Sequence, residues 1–314
     1  MTSFPQWALV IPSYRCNLAC RFCGLSRGVQ PAPLRPDVLD RLSDLGVKSF
    51  TIGGGEPLAF WPLTRKFLEK GAQLGMKASL VTNGTWLTRL ISQGEKFSEV
   101  SVVVVSLDGP PAIHDWLREK GTSAAVLDGL KALVQLATGR DLRVCVNMTL
   151  CRHNITHIIQ TAQEMFDCGV HGFQIQPLVY FGSEFGFAEL EHPVESLLPT
   201  EQQRPVLRSQ LRAYLNFKRD HPGFIANSHL HIELIEKYFY DSRHLHLRCP
   251  AGRTAVIIYP GERAAFCGYF GSRFELNELW KPDRLHERLM EVGRLARRCI
   301  SPCLAFCHHH EFKE

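Results

Sequence analysis

The feature that most constrains this 314-residue chain is an alternation of short apolar runs with helical patterns through its first 185 residues. Trp7–Ile11, Val47–Ile52, Lys77–Thr82, Glu99–Leu107, Leu142–Leu150 and Gly172–Pro177 read as strands. Pro36–Leu45, Leu63–Leu74, Ser123–Leu136 and Ile155–Cys168 carry helical spacing between them. Pro36 suits a first helical turn, and Gly46, Gly75 and Gly169 stand where helices should stop. Repeated strand–helix units favour a parallel sheet with right-handed crossovers. Six strands are too few for an eight-stranded barrel, so the expected fold is α/β, an open (β/α)6 partial TIM barrel. A flat doubly wound sheet is the alternative that periodicity leaves open.

Cys16, Cys20 and Cys23 follow the first strand with the spacing C-x3-C-x2-C, in a loop opened by Pro12, Ser13 and Asn17. A loop leaving a strand can gather three thiolates around one metal centre. A [4Fe–4S] cluster normally takes four Cys ligands, so three leave one iron open to another molecule. A structural zinc site would want a closed set of four, usually as two close pairs. Buried apolar cysteines that happen to cluster are the bland alternative.

The other polar signals stand at the C-terminal ends of the strands, where parallel α/β folds place their sites. The second strand runs into Gly53-Gly54-Gly55-Glu56-Pro57. Glycines let backbone approach a ligand closely, and Glu56 offers a carboxylate to a cation; by itself the run would be a tight turn. The third strand ends in Thr82-Asn83-Gly84 and the fourth in Ser106-Leu107-Asp108-Gly109. These residues can line one cavity mouth, although Asn-Gly and Asp-Gly are also ordinary turn formers. Asn147 and Thr149 share one face of the fifth strand, and Gln174 and Gln176 one face of the sixth. Polar groups there need hydrogen-bond partners, from a ligand, neighbouring strands or water. Cys145, Cys151 and Cys168 lack metal spacing and are expected as small core or surface residues.

After Pro177 the pattern changes. Residues 181–200 read as a boundary, followed by helical segments over Glu201–Arg219 and His229–Tyr240. Cys249, a strand over Thr254–Tyr259, a Pro260-Gly261 turn and a short strand reaching Cys267 form a hairpin with a cysteine at each foot. Cys299, Cys303 and Cys307 follow as C-x3-C-x3-C. Five cysteines in this stretch read as a second iron–sulfur site, with zinc as the alternative. The expected division is a barrel over 1–185, a helical connection over 186–245 and a Cys-rich α+β extension over 246–314. His308, His309 and His310 are metal-capable, but a solvated tail explains them as well.

Eleven cysteines in a large, core-rich chain fit a reduced, cytoplasmic, metal-binding protein better than a small secreted disulfide scaffold. The net charge of +5 forms no block calling for nucleic acid. No apolar stretch has the length to cross a membrane, and the polar start at Met1–Gln6 is expected to leave no room for a signal peptide.

The cysteine spacing, with Phe22 before the last cysteine, resembles the signature of the radical SAM superfamily, and Gly53–Pro57 resembles that family's GGEP motif. The resemblance implies a [4Fe–4S] cluster on Cys16, Cys20 and Cys23 whose open iron is chelated by S-adenosylmethionine (SAM). It implies Gly54, Gly55, Glu56 and Pro57 around the SAM ammonium, with Thr82, Asn83 and Ser106 helping to hold SAM. Arg118 would meet the SAM carboxylate, since a guanidinium fork suits that partner, or else be a solvated helix residue. Asp108 would face the substrate as the candidate catalytic group, and Asn147 and Gln176 would line the cofactor cavity. Ser106–Gly121, with His114 and Asp115, looks like members carrying a C-terminal extension.

That extension resembles the auxiliary-cluster domain called SPASM, or its truncated form called twitch. The likeness implies an auxiliary [4Fe–4S] cluster on Cys249, Cys267 and Cys303, with Cys299 and Cys307 competing for the fourth place. The chemistry implied is reductive cleavage of SAM to a 5′-deoxyadenosyl radical, which abstracts hydrogen from substrate. An external electron donor such as flavodoxin or ferredoxin is implied with it. Enzymes with this extension most often modify ribosomally made peptides oxidatively, yet Cys16 comes almost at once, so a preceding domain that grips a leader peptide is not expected. Dehydrogenation or decarboxylation of a small metabolite, such as an aminocyclitol or sugar nucleoside, is the second expectation. A non-enzymatic iron–sulfur redox protein is the third.

Overall fold

The computed structural model describes residues 4–179, 194–241, 249–268 and 273–298. Strands β1 (Trp7–Val10), β2 (Ser49–Ile52), β3 (Lys77–Thr82), β4 (Val100–Ser106), β5 (Arg143–Leu150) and β6 (Gly172–Pro177) pair in chain order, all parallel. The crossovers hold helices α1 (Val38–Asp44), α2 (Trp61–Gln73), α3 (Leu87–Ser92), α4 (Pro111–Leu117), α5 (Thr122–Ala137) and α6 (Ile158–Asp167). The short helices α3 and α4 are absent from the sequence reading. Six or seven residues are too few to display a 3.6-residue period.

The strands bury alternate residues. Ala8, Val10, Phe50, Ile52, Leu80, Val105, Val146 and Ile175 are buried in one core with the helix residues Leu39, Leu42, Phe67, Leu130 and Ile158. Each of these side chains larger than Ala8 contributes about 1.5–3 kcal/mol by leaving water. The opposite positions, Ser49, Thr51, Ser79, Asn147, Thr149, Gln174 and Gln176, are only half-buried. A doubly wound sheet covers both faces with helices and reads as continuous apolar strands. One apolar and one polar, half-open face is what a partial barrel requires, and this is the fold observed.

Beyond β6, α7 (Arg204–Asp220) and α8 (His229–Tyr240) follow the expected helical segments, with residues Glu201–Gln203 in a tighter 3-10 turn. The link ahead of α8 covers the β6 edge. Phe173 donates its N–H to Phe224 O (2.9 Å), and Ala226 N–H donates to Phe173 O (2.9 Å). The Asn227 amide then accepts from Ile175 N and donates to Ile175 O, both at 2.8 Å. A side chain thus substitutes for a missing neighbour strand at an edge that would otherwise be unpaired.

The cysteine-flanked hairpin is present as β7 (Ala255–Tyr259) and β8 (Arg263–Ala265), and a short β9 (Phe274–Glu275) pairs antiparallel to β8. Its placement differs from a free-standing appendage. β7 lies parallel to β1, from Trp7 opposite Ala255 to Val10 opposite Ile258, giving among the described residues one nine-stranded sheet in the order β6-β5-β4-β3-β2-β1-β7-β8-β9. The parallel series therefore has a seventh strand, supplied from near the far end of the chain. The reason is the open edge of β1, whose backbone groups need partners. All five residues of β7 are buried there. Helix α9 (Pro282–Arg298) follows. Among the described residues no helix is long and apolar enough to cross a membrane.

Candidate functional site

The loop carrying Cys16, Cys20 and Cys23 leaves β1 at the C-terminal edge of the sheet and is fastened on two sides. On the first side lies the glycine run after β2. Gly55 N–H donates to Ser13 O (3.1 Å), and Glu56 N–H to Arg15 O (2.8 Å), the carbonyl just before Cys16. A Cβ on Gly55 would lie 1.9 Å from that Arg15 oxygen, and one on Gly54, at φ +105°, would lie 2.2 Å from Ile11 Cγ2. Gly55 therefore admits the backbone of the cysteine loop, and Gly54 the side chain of Ile11 just after β1.

Glu56 is 2% exposed. Its Oε1 accepts from Leu58 N (2.9 Å) and Thr82 Oγ1 (2.6 Å), and its Oε2 accepts from Asn83 N (2.7 Å). Three donors on a carboxylate with about four lone-pair positions leave room for one more. Burial pushes its pKa up to about 6 against the pull of those hydrogen bonds. Asn83 continues the chain of contacts. Its Nδ2 donates to Asn17 Oδ1 (3.0 Å) and lies 4.0 Å from Cys16 Sγ, while Asn17 Nδ2 donates to Thr85 Oγ1 (3.0 Å). Pro57 begins a 3-10 turn over Pro57–Phe60 that Glu56 caps.

On the second side stands the end of α4. Arg21 N–H donates to Leu117 O (2.9 Å), and Arg21 Nε to Trp116 O (2.7 Å). Arg118 lies with its guanidinium carbon 5.3 Å from the centre of the Phe22 ring. Its side chain is 9% exposed, and its Nε donates to Asp108 Oδ2 at 2.6 Å. Arg118 is therefore not a solvated helix residue. Among the described residues only its Nε is committed to a hydrogen bond, so both terminal NH2 groups keep their donors.

Asp108 is not placed as a substrate-facing group. It has no solvent exposure. Its Oδ2 receives Arg118, its Oδ1 accepts from Thr149 N (2.8 Å), and its backbone N–H donates to His114 Nδ1 (3.1 Å). Asn154 Nδ2 donates to the Asp108 carbonyl (3.1 Å) and to Thr149 O (2.8 Å). The carboxylate is a positioning group for Arg118. Asn154 carried no sequence signal, because its partner Asp108 stands 46 residues away.

Burial raises the pKa of all three thiols, Cys16 to about 11 and Cys20 to about 12, while Arg118 pulls each one down. Burial works against the Arg118 charge, yet Asp108 and the nearby thiols hold its pKa above the ordinary value. A fixed cation beside buried thiols favours the thiolates that a metal needs. Among the described residues no three His, Cys, Asp or Glu side chains are arranged to hold a single metal ion. Ser106 is buried at the end of β4 opposite Asn147, whose Oδ1 accepts from Gln174 Nε2 (3.0 Å). Gln176 stands opposite Thr149 on the same half-buried face. Cys145 and Cys168 are half-buried free thiols and Cys151 is a buried one.

Cys249 and Cys267, at the feet of the β7–β8 hairpin, are half-buried. Cys299, Cys303 and Cys307, and the histidines at 308–310, lie outside the described residues.

A parallel partial barrel with three cysteines on the loop after its first strand and a carboxylate after its second defines a class of metal-cluster α/β enzymes. Residues 10–165 match the family described as the Radical SAM superfamily, and the chain belongs to it. The superfamily uses a [4Fe–4S] cluster and SAM. The chain is 30% identical over 188 residues to an AdoMet-dependent heme synthase of Methanosarcina barkeri, covering 56% of this chain and 52% of the relative. It is 27% identical over 215 residues to a PqqA peptide cyclase of Streptomyces rochei, covering 66% of this chain and 56% of the relative. The chain thus spans little more than half the length of these two relatives. Among solved structures, SuiB of Streptococcus suis bound to S-adenosylmethionine shares the fold. It has a TM-score of 0.65 and 17% identity, and the match covers 90% of this chain and 67% of that one.

The residues present fit the family's cofactors. Three thiols on one braced loop match a cluster that leaves one iron open. Glu56 keeps an acceptor position for an ammonium, and Arg118 keeps a two-pronged donor for a carboxylate.

Proposed function

We propose that this chain cleaves SAM reductively and uses the resulting 5′-deoxyadenosyl radical for an oxidative modification of a ribosomally made peptide. Cys16, Cys20 and Cys23 would hold the cluster, and Gly54, Gly55, Glu56 and Pro57 the amino end of SAM. When bound, the cluster and SAM supply a one-electron cleavage of the sulfonium and a radical able to take hydrogen from an unactivated carbon. The chain's own residues bind and orient. Glu56 turns its remaining acceptor to the ammonium, and Thr82 and Asn83 hold Glu56. Arg118, aimed by Asp108, presents its terminal nitrogens to the carboxylate. Ser106, Asn147 and Gln176 line the half-buried inner face that takes adenosine or substrate. The single observation that carries this reading is the bracing of the cysteine loop by Glu56 on one side and Arg118 on the other.

A peptide substrate is supported by the similarity to a PqqA peptide cyclase and by the fold shared with SuiB, which has been solved bound to its precursor peptide SuiA. Cys249, Cys267 and Cys303, with Cys299 or Cys307 as fourth ligand, would hold an auxiliary [4Fe–4S] cluster able to accept an electron from a substrate radical. A small-metabolite substrate is the second reading, favoured by the similarity to an AdoMet-dependent heme synthase. Anaerobic reconstitution with iron, sulfide, dithionite and SAM should yield 5′-deoxyadenosine; none, with or without a cell extract, removes the enzymatic reading. Incubation with peptides encoded beside the gene separates the two substrate classes. A mass change in such a peptide supports the first, and loss of a metabolite from extract with no peptide change supports the second.

A further inference from the structure

We propose that a row of carboxamides on the inner face of β5 and β6, Asn147, Gln174 and Gln176, selects the substrate group that enters the barrel. The group it takes is an extended, uncharged peptide residue, held through its own backbone N–H and C=O. This deepens the peptide reading given above and rests on it. The row is neutral, and so is the wall around it. Among the described inward-facing residues of β2–β6 only Lys77 and Arg143 are charged, and both are exposed at the starts of their strands. From there to the strand ends the inner face carries hydroxyl, amide, thiol and apolar groups. Arg118 lies beyond the strand ends on Asp108, and Arg273 lies over the Tyr259 ring at β7, away from β5 and β6. A carboxylate or phosphate brought against this wall would lose water without meeting a counter-charge.

The carboxamides are only partly used. Gln174 Nε2 donates to Asn147 Oδ1 at 3.0 Å. That bond leaves donor protons on Asn147 Nδ2 and an acceptor oxygen on Gln174. Gln176 stands opposite Thr149, and among the described residues neither its amide nor the Thr149 hydroxyl makes a hydrogen bond. All four side chains are half-buried, so their polar groups open to the lumen and are not sealed within the sheet.

The same strand shows what a carboxamide does with an extended residue. On the other side of β6, Asn227 accepts from Ile175 N and donates to Ile175 O, both at 2.8 Å. The N–H and C=O of one extended residue lie on the same side of its chain, so a single carboxamide takes both. Gln176 can repeat this toward the lumen, on a substrate residue lying along β6. Asn147 and Gln174 add a donor and an acceptor one row nearer the strand starts. A site built on such groups rejects a ligand that leaves them unpaired.

The test is a ligand-detected NMR titration of the full chain, reconstituted and loaded with SAM. The probes are N-acetyl-leucine N′-methylamide, its free acid N-acetyl-leucine, and methyl glucoside as a neutral polyol. The methylamide should bind at least about tenfold tighter than the acid. Gln176→Met, close in length and without hydrogen-bonding groups, should weaken the methylamide about tenfold and leave the acid where it was. Gln176→Lys should reverse the order, making the acid the tighter ligand, a gain that misfolding cannot produce. Gln73→Glu, exposed at the end of α2, should change neither. The proposal is overturned by an acid that binds wild type as tightly as the methylamide, by no methylamide binding, or by unchanged order in both Gln176 variants. Methyl glucoside binding as tightly as the methylamide overturns the choice of an amide. The expected binding pattern in a protein that forms no 5′-deoxyadenosine with dithionite would strike the radical chemistry and still support the carboxamide row. A peptide product with no preference among the probes would do the opposite.

Discussion

Arg118 donates from Nε to Asp108 Oδ2 at 2.6 Å, and the Asp108 side chain it meets has no contact with solvent. A buried pair of this kind is a positioning device more than a source of stability, because desolvation offsets most of the Coulomb attraction. Breaking it is different. Asp108→Ala would leave a cation among the thiols, Phe22 and His114 with no counter-charge. The expected cost is about 3–5 kcal/mol in urea unfolding, together with a weaker SAM affinity as the guanidinium loses its aim. Asp108→Asn keeps the acceptor for Thr149 N–H and should lose less stability. Equal stability for Asp108→Ala and wild type would contradict the placement.

Gly55→Ala tests how the cysteine loop is seated. The added methyl would sit 1.9 Å from the Arg15 carbonyl oxygen, a backbone atom that cannot rotate away. The loop must then separate from the β2 end and lose the hydrogen bonds at Ser13 and Arg15. Iron and sulfide bound after reconstitution should fall well below wild type, with helical content by circular dichroism retained. Gly293→Ala, in α9 with nothing within 4 Å of the new methyl, should gain about 0.5–1 kcal/mol from helix propensity. Full cluster loading in Gly55→Ala would show that the glycine is not needed for this approach.

His114 gives the chain an acid-side weakness. Burial, more than any neighbour, lowers its pKa to about 4, and its Nε2 is a buried atom without a hydrogen-bond partner. Between the ordinary pKa near 6.5 and about 4, the unfolded chain binds a proton that the folded chain refuses. The stabilisation is therefore complete above pH 6.5 and lost as pH falls toward 4, by at most ~3 kcal/mol. Glu56, raised to about 6, acts with the opposite sign in an overlapping window, so the wild-type slope mixes both. His114→Asn keeps an acceptor for Asp108 N–H and does not titrate. Its stability difference from wild type should shrink between pH 7 and pH 4.5; a constant difference would sink the assignment.

Much of this was legible in the sequence where the signal was local. The βα alternation gave the strands and the longer helices, because a buried face imposes its period on every neighbour. Cys16, Cys20, Cys23 and Glu56 stand out as candidates from spacing within a few residues. What the sequence could not carry was pairing at long range. Nothing in Ala255–Tyr259 says that it will lie beside Trp7–Val10, since an apolar run fits any open edge. Asp108 reads as a site residue because it follows a strand; its burial depends on His114 and Arg118 of α4 and its cap, and on Thr149 of β5. At Gly54 and Gly55 a missing Cβ does not say that Ile11 and the Arg15 carbonyl pack against them.

Glu56 is the residue whose two roles an experiment can separate. Its carboxylate ties the β2 end to the β3 end through Thr82 and Asn83 and caps the turn at Leu58. Glu56→Ala would strand three buried donors, each worth about 1–3 kcal/mol when unsatisfied, and should lower stability by at least ~3 kcal/mol. Glu56→Gln keeps one carbonyl oxygen for those donors. Since burial already lifts the carboxyl to a pKa of about 6, the site tolerates a neutral group, and the variant should stay within about 1–2 kcal/mol of wild type. The amide nevertheless removes the negative charge that an ammonium would meet. SAM affinity, measured by equilibrium dialysis on the reconstituted protein, should therefore fall at least about tenfold in Glu56→Gln, the worth of one charge-assisted hydrogen bond. If Glu56→Gln folds normally and still binds SAM as wild type does, Glu56 is a structural clamp alone and the ammonium is held elsewhere.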